Sequence, residues 1–480
     1  MKESDKGLHY STPSACGVDP RGVLRMIELF RERDAGIHGF MLLRHDQVFA
    51  EGWYHPYEKE LTHTLFSLSK TFTATAVGFA VQEGLLTVED DVVGFFPDKV
   101  TDDVCDNMRN MKVKHLLTMN TGHDPAPNIF DPSVPDYVKA FLYTDVPKTP
   151  GTQFVYNSAA TYMLSAIVTR VTGQTVSEYL KPRLRDPLDM GAWHFEQCPE
   201  GVDLGGFGLH VTLPAIAKFG LFFLHKGNVN GKQLLDSAWI ESASSAQVES
   251  RGDAGPDWLQ GYGYQMWRCQ VPNAFRGDGA FGQYMLVLPD QDMVIAINSG
   301  SNCLQTVLST IWETILPALH DAPLCGLDAE EKALSSALAS LSIDFEKGDG
   351  VVDAQAAGRT CVLADNPWGL TKMKLEDTSL SLFFGEEEEI IHFGQNTHVN
   401  GTVSWRSDAR EEGLLLGSYT ASFAGDSPMK LRIVWRETPF IDDISFDADA
   451  QGMTVVIHRN CSMSGQNDRV LTGRWENIGE

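Results

Sequence analysis

The sequence is poor in features that would point to nucleic-acid-binding or membrane proteins. Basic residues are in the minority, since 64 acidic and 38 basic residues give a formal net charge of −26. Such a charge argues against nucleic acid or an anionic membrane surface as a partner. No run of about 18 apolar residues occurs, so no membrane-spanning helix is predicted.

Motifs for metals, cofactors and export are also missing. The eight cysteines include no Cys-x-x-Cys pair, so neither a zinc site nor a disulfide framework is predicted. There is no His-Glu-x-x-His, no phosphate-binding loop and no Gly-x-Ser-x-Gly elbow, and we predict no metal and no cofactor. The opening MKESDKGLHY lacks the apolar core of a signal peptide. We therefore expect a cytoplasmic protein, unless a leader has been removed.

The chain is long enough for two domains. With 480 residues and 43% hydrophobic content, it exceeds the size at which single cores stop growing. Helical patterns precede and follow strand-like segments up to residue 322, which predicts an α/β protein of the α+β type with an antiparallel sheet flanked by helices. The predicted helices are 20–33, 113–119, 159–172, 212–225 and 304–319, and the predicted strands are 40–43, 48–54, 263–269, 283–288 and 293–297.

After Pro323 the pattern changes. Residues 323–344 are predicted to be a linker that carries a short helix, at 328–341. Short alternating segments follow, typical of strands. Residues 345–480 are therefore predicted to form a small antiparallel β-sandwich or barrel. The predicted strands of this region are 380–384, 414–419, 431–435 and 453–458.

The most informative motif is Ser67-Leu68-Ser69-Lys70, at the start of an apolar helical stretch. A serine hydroxyl needs a base to become a nucleophile, and a lysine three residues later lies on the same helical face. Burial can lower the lysine pKa enough for it to accept that proton. The helix start also offers backbone N–H groups for a developing oxyanion. A second Ser-x-x-Lys, at Ser427 and Lys430, lies among predicted strands, and we interpret it as accidental.

A third group is needed to pass a proton to the leaving group. Tyr156 follows a Pro-Gly turn and precedes a predicted helix, so its hydroxyl can point into a cleft. A nearby ammonium would lower its pKa and let it shuttle protons. The alternative is a buried tyrosine with one hydrogen bond, which is the commoner fate of a lone tyrosine.

Four segments together resemble the β-lactamase-related serine hydrolases, a family of class C β-lactamases, DD-peptidases, carboxylesterases and nylon-oligomer hydrolases. The likeness covers about residues 15 to 322. The segments are LFSLSKTFTATAVGFAVQEGLL, HLLTMNTGHD, PGTQFVYNSAATYMLSAIVTRVTGQ and DGAFGQYMLVLPDQDMVIAINSG.

The resemblance implies a β-lactamase/transpeptidase-like domain over 1–322 and an acyl-enzyme mechanism. Ser67 would be the nucleophile, Lys70 the base and Tyr156 the proton relay. The oxyanion hole would pair the Ser67 N–H with a main-chain N–H of a facing strand. We assign this second donor to Ala280, with Gly279 allowing close approach of the backbone.

The sequence departs from the family pattern at two places. The usual Tyr-x-Asn is Tyr156-Asn157-Ser158 here, so the third position is filled by Ser158, or by Asn157 if the loop shifts. The Lys/His-Thr-Gly triad before the facing strand is missing, and Arg276 is the nearest replacement cation, partly cancelled by Asp278. Because that triad helps to hold a substrate carboxylate, we predict activity on small esters or amides that lack one.

Two alternatives stay open at this stage. In the first, the protein is a β-lactamase or a D-amino-acid peptidase. In the second, it is a catalytically weak binding or scaffold protein that uses the C-terminal β domain. The natural substrate and the oligomeric state are not predicted, because loop shape decides substrate choice in such folds.

Overall fold

The computed structural model describes residues 6–131, 133–251, 255–345, 347–348, 350–404, 414–425 and 428–476. The chain forms two compact units. Unit 1 comprises the residues up to Gly52, Thr62–Ser299 and Cys303–Ser340. Unit 2 comprises Trp53–Leu61, Gly300–Asn302 and the residues from Leu341 onward.

Unit 1 is built on a seven-stranded sheet with the order β1-β3-β2-β12-β11-β10-β9. All pairs from β2 to β9 in that order are antiparallel. A second sheet of three strands has the order β4-β6-β5, and β7 and β8 form a hairpin. The strands are β1 His9–Tyr10, β2 Ile37–Arg44, β3 Gln47–Trp53, β4 Thr62–Thr64, β5 Trp193–Phe195, β6 Leu209–Thr212, β7 Asn228–Val229, β8 Lys232–Gln233, β9 Trp267–Arg268, β10 Phe275–Gly279, β11 Gln283–Leu288 and β12 Met293–Ser299.

Eleven α-helices accompany these strands among the described residues. They are α1 Pro20–Glu32, α2 Ser69–Gln82, α3 Asp106–Arg109, α4 Val113–Leu117, α5 Tyr137–Leu142, α6 Ser158–Thr172, α7 Val176–Leu180, α8 Leu213–Leu224, α9 Ser237–Ser244, α10 Leu304–Thr314 and α11 Asp328–Ala339. The apolar α8 packs on β11 and β12, and α1 packs on α10 and α11. The predicted antiparallel sheet with flanking helices is confirmed.

Two predicted elements of unit 1 are markedly longer than the observed ones. The strand predicted at 263–269 shrinks to β9, because Gln265 has a positive φ of 60° and its side chain donates to the carbonyls of Leu116 and Leu117 at 3.0 Å. The helix predicted at 304–319 ends at Thr314 and gives way to a 3-10 turn at Leu316–Ala318. Pro317 lacks the N–H that a continuing α-helix needs.

Unit 2 contains one eleven-stranded sheet with the order β16-β15-β14-β13-β23-β22-β21-β20-β19-β17, and β18 also pairs with β19. Every pair is antiparallel except β17 with β19. The strands are β13 Thr360–Leu363, β14 Lys372–Glu376, β15 Ser379–Phe384, β16 Glu387–His392, β17 Gly394–Gln395, β18 Val399–Thr402, β19 Ser418–Ala424, β20 Met429–Trp435, β21 Ile441–Ala448, β22 Gly452–Arg459 and β23 Asp468–Trp475.

The sheet of unit 2 is nearly closed, since β16 and β18 contact each other. This confirms the predicted small antiparallel β-sandwich or barrel. Its interior holds a buried ion pair in which Arg459 Nε lies 2.7 Å from Asp442 Oδ1. The strand predicted at 414–419 is displaced to β19, because Gly417 has a positive φ of 82° and interrupts the extended backbone.

Two short segments from the first two-thirds of the chain belong to unit 2. In Trp53–Leu61, the His55 N–H donates to the Leu341 carbonyl at 3.0 Å, and Glu58 pairs with Arg436 at 2.8 Å. In Gly300–Asn302, the Gly300 carbonyl accepts from Asn460 Nδ2 at 3.1 Å. The predicted division into a domain at 1–322, a linker at 323–344 and a β domain at 345–480 stays a prediction.

Candidate active site

Ser67 lies in a 3-10 turn, Phe66–Leu68, immediately before α2. Phe66 has a positive φ of 47°, which is unusual for a residue with a side chain. Its ring meets that of Phe281 edge-on, with centroids 5.3 Å apart. Strain of this kind persists where the surrounding structure fixes it, often at functional sites. The turn leaves Ser67 half-buried at the start of a helix whose interior is fully buried.

Lys70 is buried and has three polar neighbours. Its Nζ lies 3.0 Å from Ser67 Oγ and 3.0 Å from Ser158 Oγ, and it donates to the Gly206 carbonyl at 2.6 Å. Burial lowers the pKa of Lys70 to about 7, because an ammonium loses its hydration there. A large fraction of Lys70 is therefore an uncharged amine at neutral pH.

Tyr156 is half-buried beside the same amine. Lys70 Nζ lies 5.0 Å from the centre of its ring, and the ring stacks on Trp267 with centroids 5.6 Å apart. Burial raises the pKa of Tyr156 well above its usual value, although a hydrogen bond with Ser67 acts in the opposite direction. The expected lowering of this pKa by an ammonium is wrong, because the effect of burial dominates.

Ser158 and Asn157 have separate tasks. Ser158 reaches Lys70, whereas Asn157 caps α6 by accepting a hydrogen bond from the Ala160 N–H at 3.1 Å. Asn157 Nδ2 also donates to Thr121 Oγ1 at 3.4 Å, and His123 Nδ1 lies 2.9 Å from that same oxygen. The side chain that completes the Ser67–Lys70 cluster is therefore that of Ser158.

Strand β10 lies directly against the Ser67 turn. A Cβ on Gly277 would lie less than 3.0 Å from the Leu68 side chain, and a Cβ on Gly279 would lie less than 3.0 Å from the Leu65 carbonyl oxygen. Ala280 follows Gly279 in the turn after β10 and is half-buried. Glycine thus lets the backbone that leads into Ala280 run next to the turn that carries Ser67.

Arg276 and Asp278 form a buried ion pair in β10, and Arg276 is the cross-strand neighbour of Trp267. Arg276 Nε lies 2.8 Å from Asp278 Oδ2, and Arg276 Nη1 donates to the carbonyls of Asp257 and Arg268 at 3.0 and 2.9 Å. The guanidinium also stacks over Trp258, 4.4 Å from the ring centre. Arg276 has no exposed surface, so it does not offer its charge to a substrate carboxylate.

Several contacts of the cluster carried no signal in the sequence. The Gly206 carbonyl belongs to a loop far from Ser67 along the chain, and a main-chain acceptor leaves no residue-type pattern. Thr121 and His123, which contact Asn157 directly or through Thr121, lie in the segment HLLTMNTGHD. The family resemblance includes this segment but does not indicate what these two residues do. In the second Ser-x-x-Lys, Ser427 lies outside the described residues and Lys430 lies in β20.

Comparison with known proteins identifies the family. The beta-lactamase family model matches residues 26–303, more than half of the chain, and the chain belongs to that family. A 6-aminohexanoate-dimer hydrolase of Paenarthrobacter ureafaciens is 28% identical over 282 residues, which are 53% of this chain and 70% of the relative. The family and this relative are hydrolases, and the structure is that of a hydrolase with the β-lactamase fold.

Solved structures agree on the fold. A penicillin-binding protein homologue from Caulobacter crescentus is 18% identical, with a TM-score of 0.50, over 62% of this chain and 99% of that one. An octameric penicillin-binding protein homologue from Pyrococcus abyssi is 15% identical, with a TM-score of 0.51, over 95% of this chain and 99% of that one. Across the described ranges, no helix combines the length and apolar character needed to cross a bilayer.

Proposed function

We propose that the protein is a serine hydrolase that cleaves small esters or amides through an acyl-enzyme, with Ser67 as nucleophile, Lys70 as base and Tyr156 as proton relay. The observation that carries this proposal is the buried amine of Lys70, 3.0 Å from Ser67 Oγ. With its pKa lowered to about 7, this amine can take the hydroxyl proton at neutral pH.

The neighbours of Lys70 decide where its lone pair points. A neutral amine has two N–H groups and one lone pair. The Gly206 carbonyl can only accept, so it takes one N–H. If Ser158 Oγ takes the second, the lone pair is left for the Ser67 hydroxyl. Ser158 then fills the third position of Tyr-x-Asn by orienting the base.

The remaining steps use groups next to Ser67. Ser67 Oγ bonds to the substrate carbonyl carbon, and its proton moves to Lys70. The developing oxyanion would be held by the N–H groups of Ser67 and Ala280. Tyr156, a neutral phenol at pH 7, would give its proton to the leaving group and regain one from Lys70. Water then attacks the acyl-enzyme by the reverse proton movements and frees the acid.

The substrate class follows from the charges near the site. Arg276 is enclosed and paired with Asp278, which disfavours a substrate that needs its carboxylate held. The 6-aminohexanoate-dimer hydrolase relative supports amides as well as esters as substrates. We therefore infer poor turnover of β-lactams and better turnover of uncharged acyl compounds.

The test is hydrolysis of a short-chain p-nitrophenyl ester and of a chromogenic cephalosporin, by the wild type and by Ser67→Ala. We expect the wild type to cleave the ester and leave the cephalosporin, and Ser67→Ala to be inactive. Ser165→Ala is a matched control, because Ser165 is a buried α6 serine that donates to the Asp203 carbonyl at 2.6 Å. Efficient cephalosporin cleavage would overturn the substrate class, and ester cleavage by Ser67→Ala would overturn the mechanism.

A further inference from the structure

The ion pair Arg276–Asp278 has its two charges in different surroundings. Arg276 is completely enclosed, and its Nη2 has no hydrogen-bond partner among the described residues. Asp278 keeps 8% of its surface exposed. Its Oδ2 accepts a hydrogen bond from Arg276 Nε. Its Oδ1 has no hydrogen bond to a described residue, and unlike Arg276 Nη2 this atom keeps some exposed surface. The pair therefore presents its negative end outward.

The position of Asp278 on β10 places this negative end at the candidate active site. Asp278 shares a face of the strand with Arg276, and Arg276 is the cross-strand neighbour of Trp267, on which Tyr156 stacks. Burial and, to a smaller extent, the carboxylate of Asp278 raise the pKa of the Tyr156 hydroxyl. Asp278 also precedes Ala280 by two residues, next to the proposed oxyanion donor.

The part of β10 that contains Asp278 has no pairing strand on the β9 side among the described residues, and only a small part of it is exposed. Strand β9 pairs with Phe275 and Arg276, and it leaves Gly277, Asp278 and Gly279 without a strand on that side. A substrate bound at Ser67 would lie next to this strand, because Gly277 and Gly279 pack against Leu68 and Leu65. Of the two charges on this strand, such a substrate would meet the carboxylate of Asp278, because the guanidinium of Arg276 has no exposed surface.

We propose that Asp278 is a specificity-determining residue that binds a primary ammonium group of the substrate, so that the preferred substrates are amino-substituted esters or amides. The preference among hydrolysed substrates rests on the proposed function, whereas the binding of an ammonium group by Asp278 does not. A carboxylate that accepts from an ammonium forms a charge-assisted hydrogen bond, which is stronger than a bond between neutral groups. The opposite preference, for a carboxylate, would need the Arg276 charge to face the cleft.

The test measures the binding of three six-carbon probes to Ser67→Ala by calorimetry: hexylammonium, 1-hexanol and hexanoate. We expect hexylammonium to bind about tenfold to a hundredfold more tightly than hexanol, and hexanoate to bind most weakly. The same order is expected for competitive inhibition of ester hydrolysis by the wild type. Equal binding of all three, or tightest binding of hexanoate, would overturn the proposal.

Variants assign the preference to Asp278. In Asp278→Asn, the advantage of hexylammonium over hexanol should fall to less than about threefold. This change leaves Arg276 buried and unpaired, which is destabilising, so the double variant Arg276→Met with Asp278→Asn is measured as well and should show the same loss. The matched control is Arg459→Met with Asp442→Asn, which removes the buried pair of unit 2 and should keep the advantage.

The outcomes separate this proposal from the proposed function. If the wild type cleaves no ester but Ser67→Ala still prefers hexylammonium in an Asp278-dependent way, the hydrolase mechanism fails and the ammonium site stands. If the ester is cleaved and the advantage of hexylammonium survives in both Asp278 variants, the mechanism stands and the ammonium site is refuted.

Discussion

Ser158→Ala tests whether a side chain outside the nucleophile–base pair orients the base. The variant removes the oxygen that lies 3.0 Å from Lys70 Nζ and leaves the Gly206 carbonyl as the other acceptor. One N–H of the neutral amine then either stays unsatisfied or turns toward Ser67, where the lone pair is needed. Leaving a buried donor unsatisfied costs about 1–3 kcal/mol. We expect kcat/KM to fall roughly fivefold to 150-fold at its high-pH plateau.

The pH profile gives a second readout that a general loss of structure would not produce. In the wild type, kcat/KM should rise with pH through about 7, as Lys70 loses its proton. Ser158 Oγ accepts more strongly from an ammonium than from an amine, so its removal destabilises the protonated form of Lys70. The midpoint of the rise should therefore move to lower pH in Ser158→Ala, while the plateau decreases.

The assay is initial-rate hydrolysis of a p-nitrophenyl ester between pH 5.5 and 9, corrected for spontaneous hydrolysis. These pH limits are chosen to bracket the pKa of about 7 for Lys70. Ser165→Ala, on the same helix, controls for the loss of a buried serine hydroxyl. The reasoning is refuted if the plateau of Ser158→Ala equals that of Ser165→Ala, or if the midpoint moves to higher pH.

Three further predictions concern the same cluster. Lys70→Met should be inactive in ester hydrolysis yet melt at a higher temperature at pH 7, because it removes a group whose ammonium form is costly to bury; an unchanged or lower melting temperature would contradict this. The folded pKa of Lys70 lies below its usual value of 10.5, so the unfolded chain binds more protons between about pH 7 and 10.5, and wild-type stability gains a contribution as pH rises through that window; this contribution should be absent in Lys70→Met. Tyr156→Phe should keep the stack on Trp267 and lower kcat about a hundredfold or more, with the smallest loss for the best leaving groups; a uniform loss would argue against proton transfer to the leaving group. Gly279→Ala should lower kcat/KM at least about tenfold, because its Cβ would collide with the Leu65 carbonyl, whereas Gly94→Ala, with nothing within 4 Å of its new Cβ, should retain activity.

Local patterns explain what could be predicted from the sequence. The spacing of Ser67 and Lys70 places both on one helical face regardless of the rest of the fold. In the structure Lys70 Nζ lies 3.0 Å from Ser67 Oγ. The adjacency of Arg276 and Asp278 follows from strand alternation. That Arg276 is completely enclosed while Asp278 keeps a small exposed fraction depends on Trp258 and on the carbonyls of Asp257 and Arg268. These are tertiary contacts that periodicity does not encode.

Other features were beyond prediction for the same reason. The expectation for Tyr156 assumed that a neighbouring ammonium would lower its pKa, but burial lowers the pKa of Lys70 to about 7 and raises that of the phenol. Nothing in the sequence indicated that Trp53–Leu61 belongs to unit 2. A short irregular segment has no hydrophobic periodicity from which its packing partner could be predicted. The apolar residues 414–416 resembled the start of a strand, but the positive φ of Gly417 interrupts the extended backbone, and the strand begins only after it.

The discontinuity of unit 2 has a consequence for the order of events during synthesis. The segment Trp53–Leu61, which leads into the turn of Ser67, leaves the ribosome before Leu341 and Arg436, its partners. At roughly 5–20 residues per second, the interval is on the order of ten seconds to a minute. During that interval Trp53–Leu61 lacks the contacts that it makes within unit 2. A chain released early by premature termination would retain Ser67 and Lys70 but leave this segment without its partners.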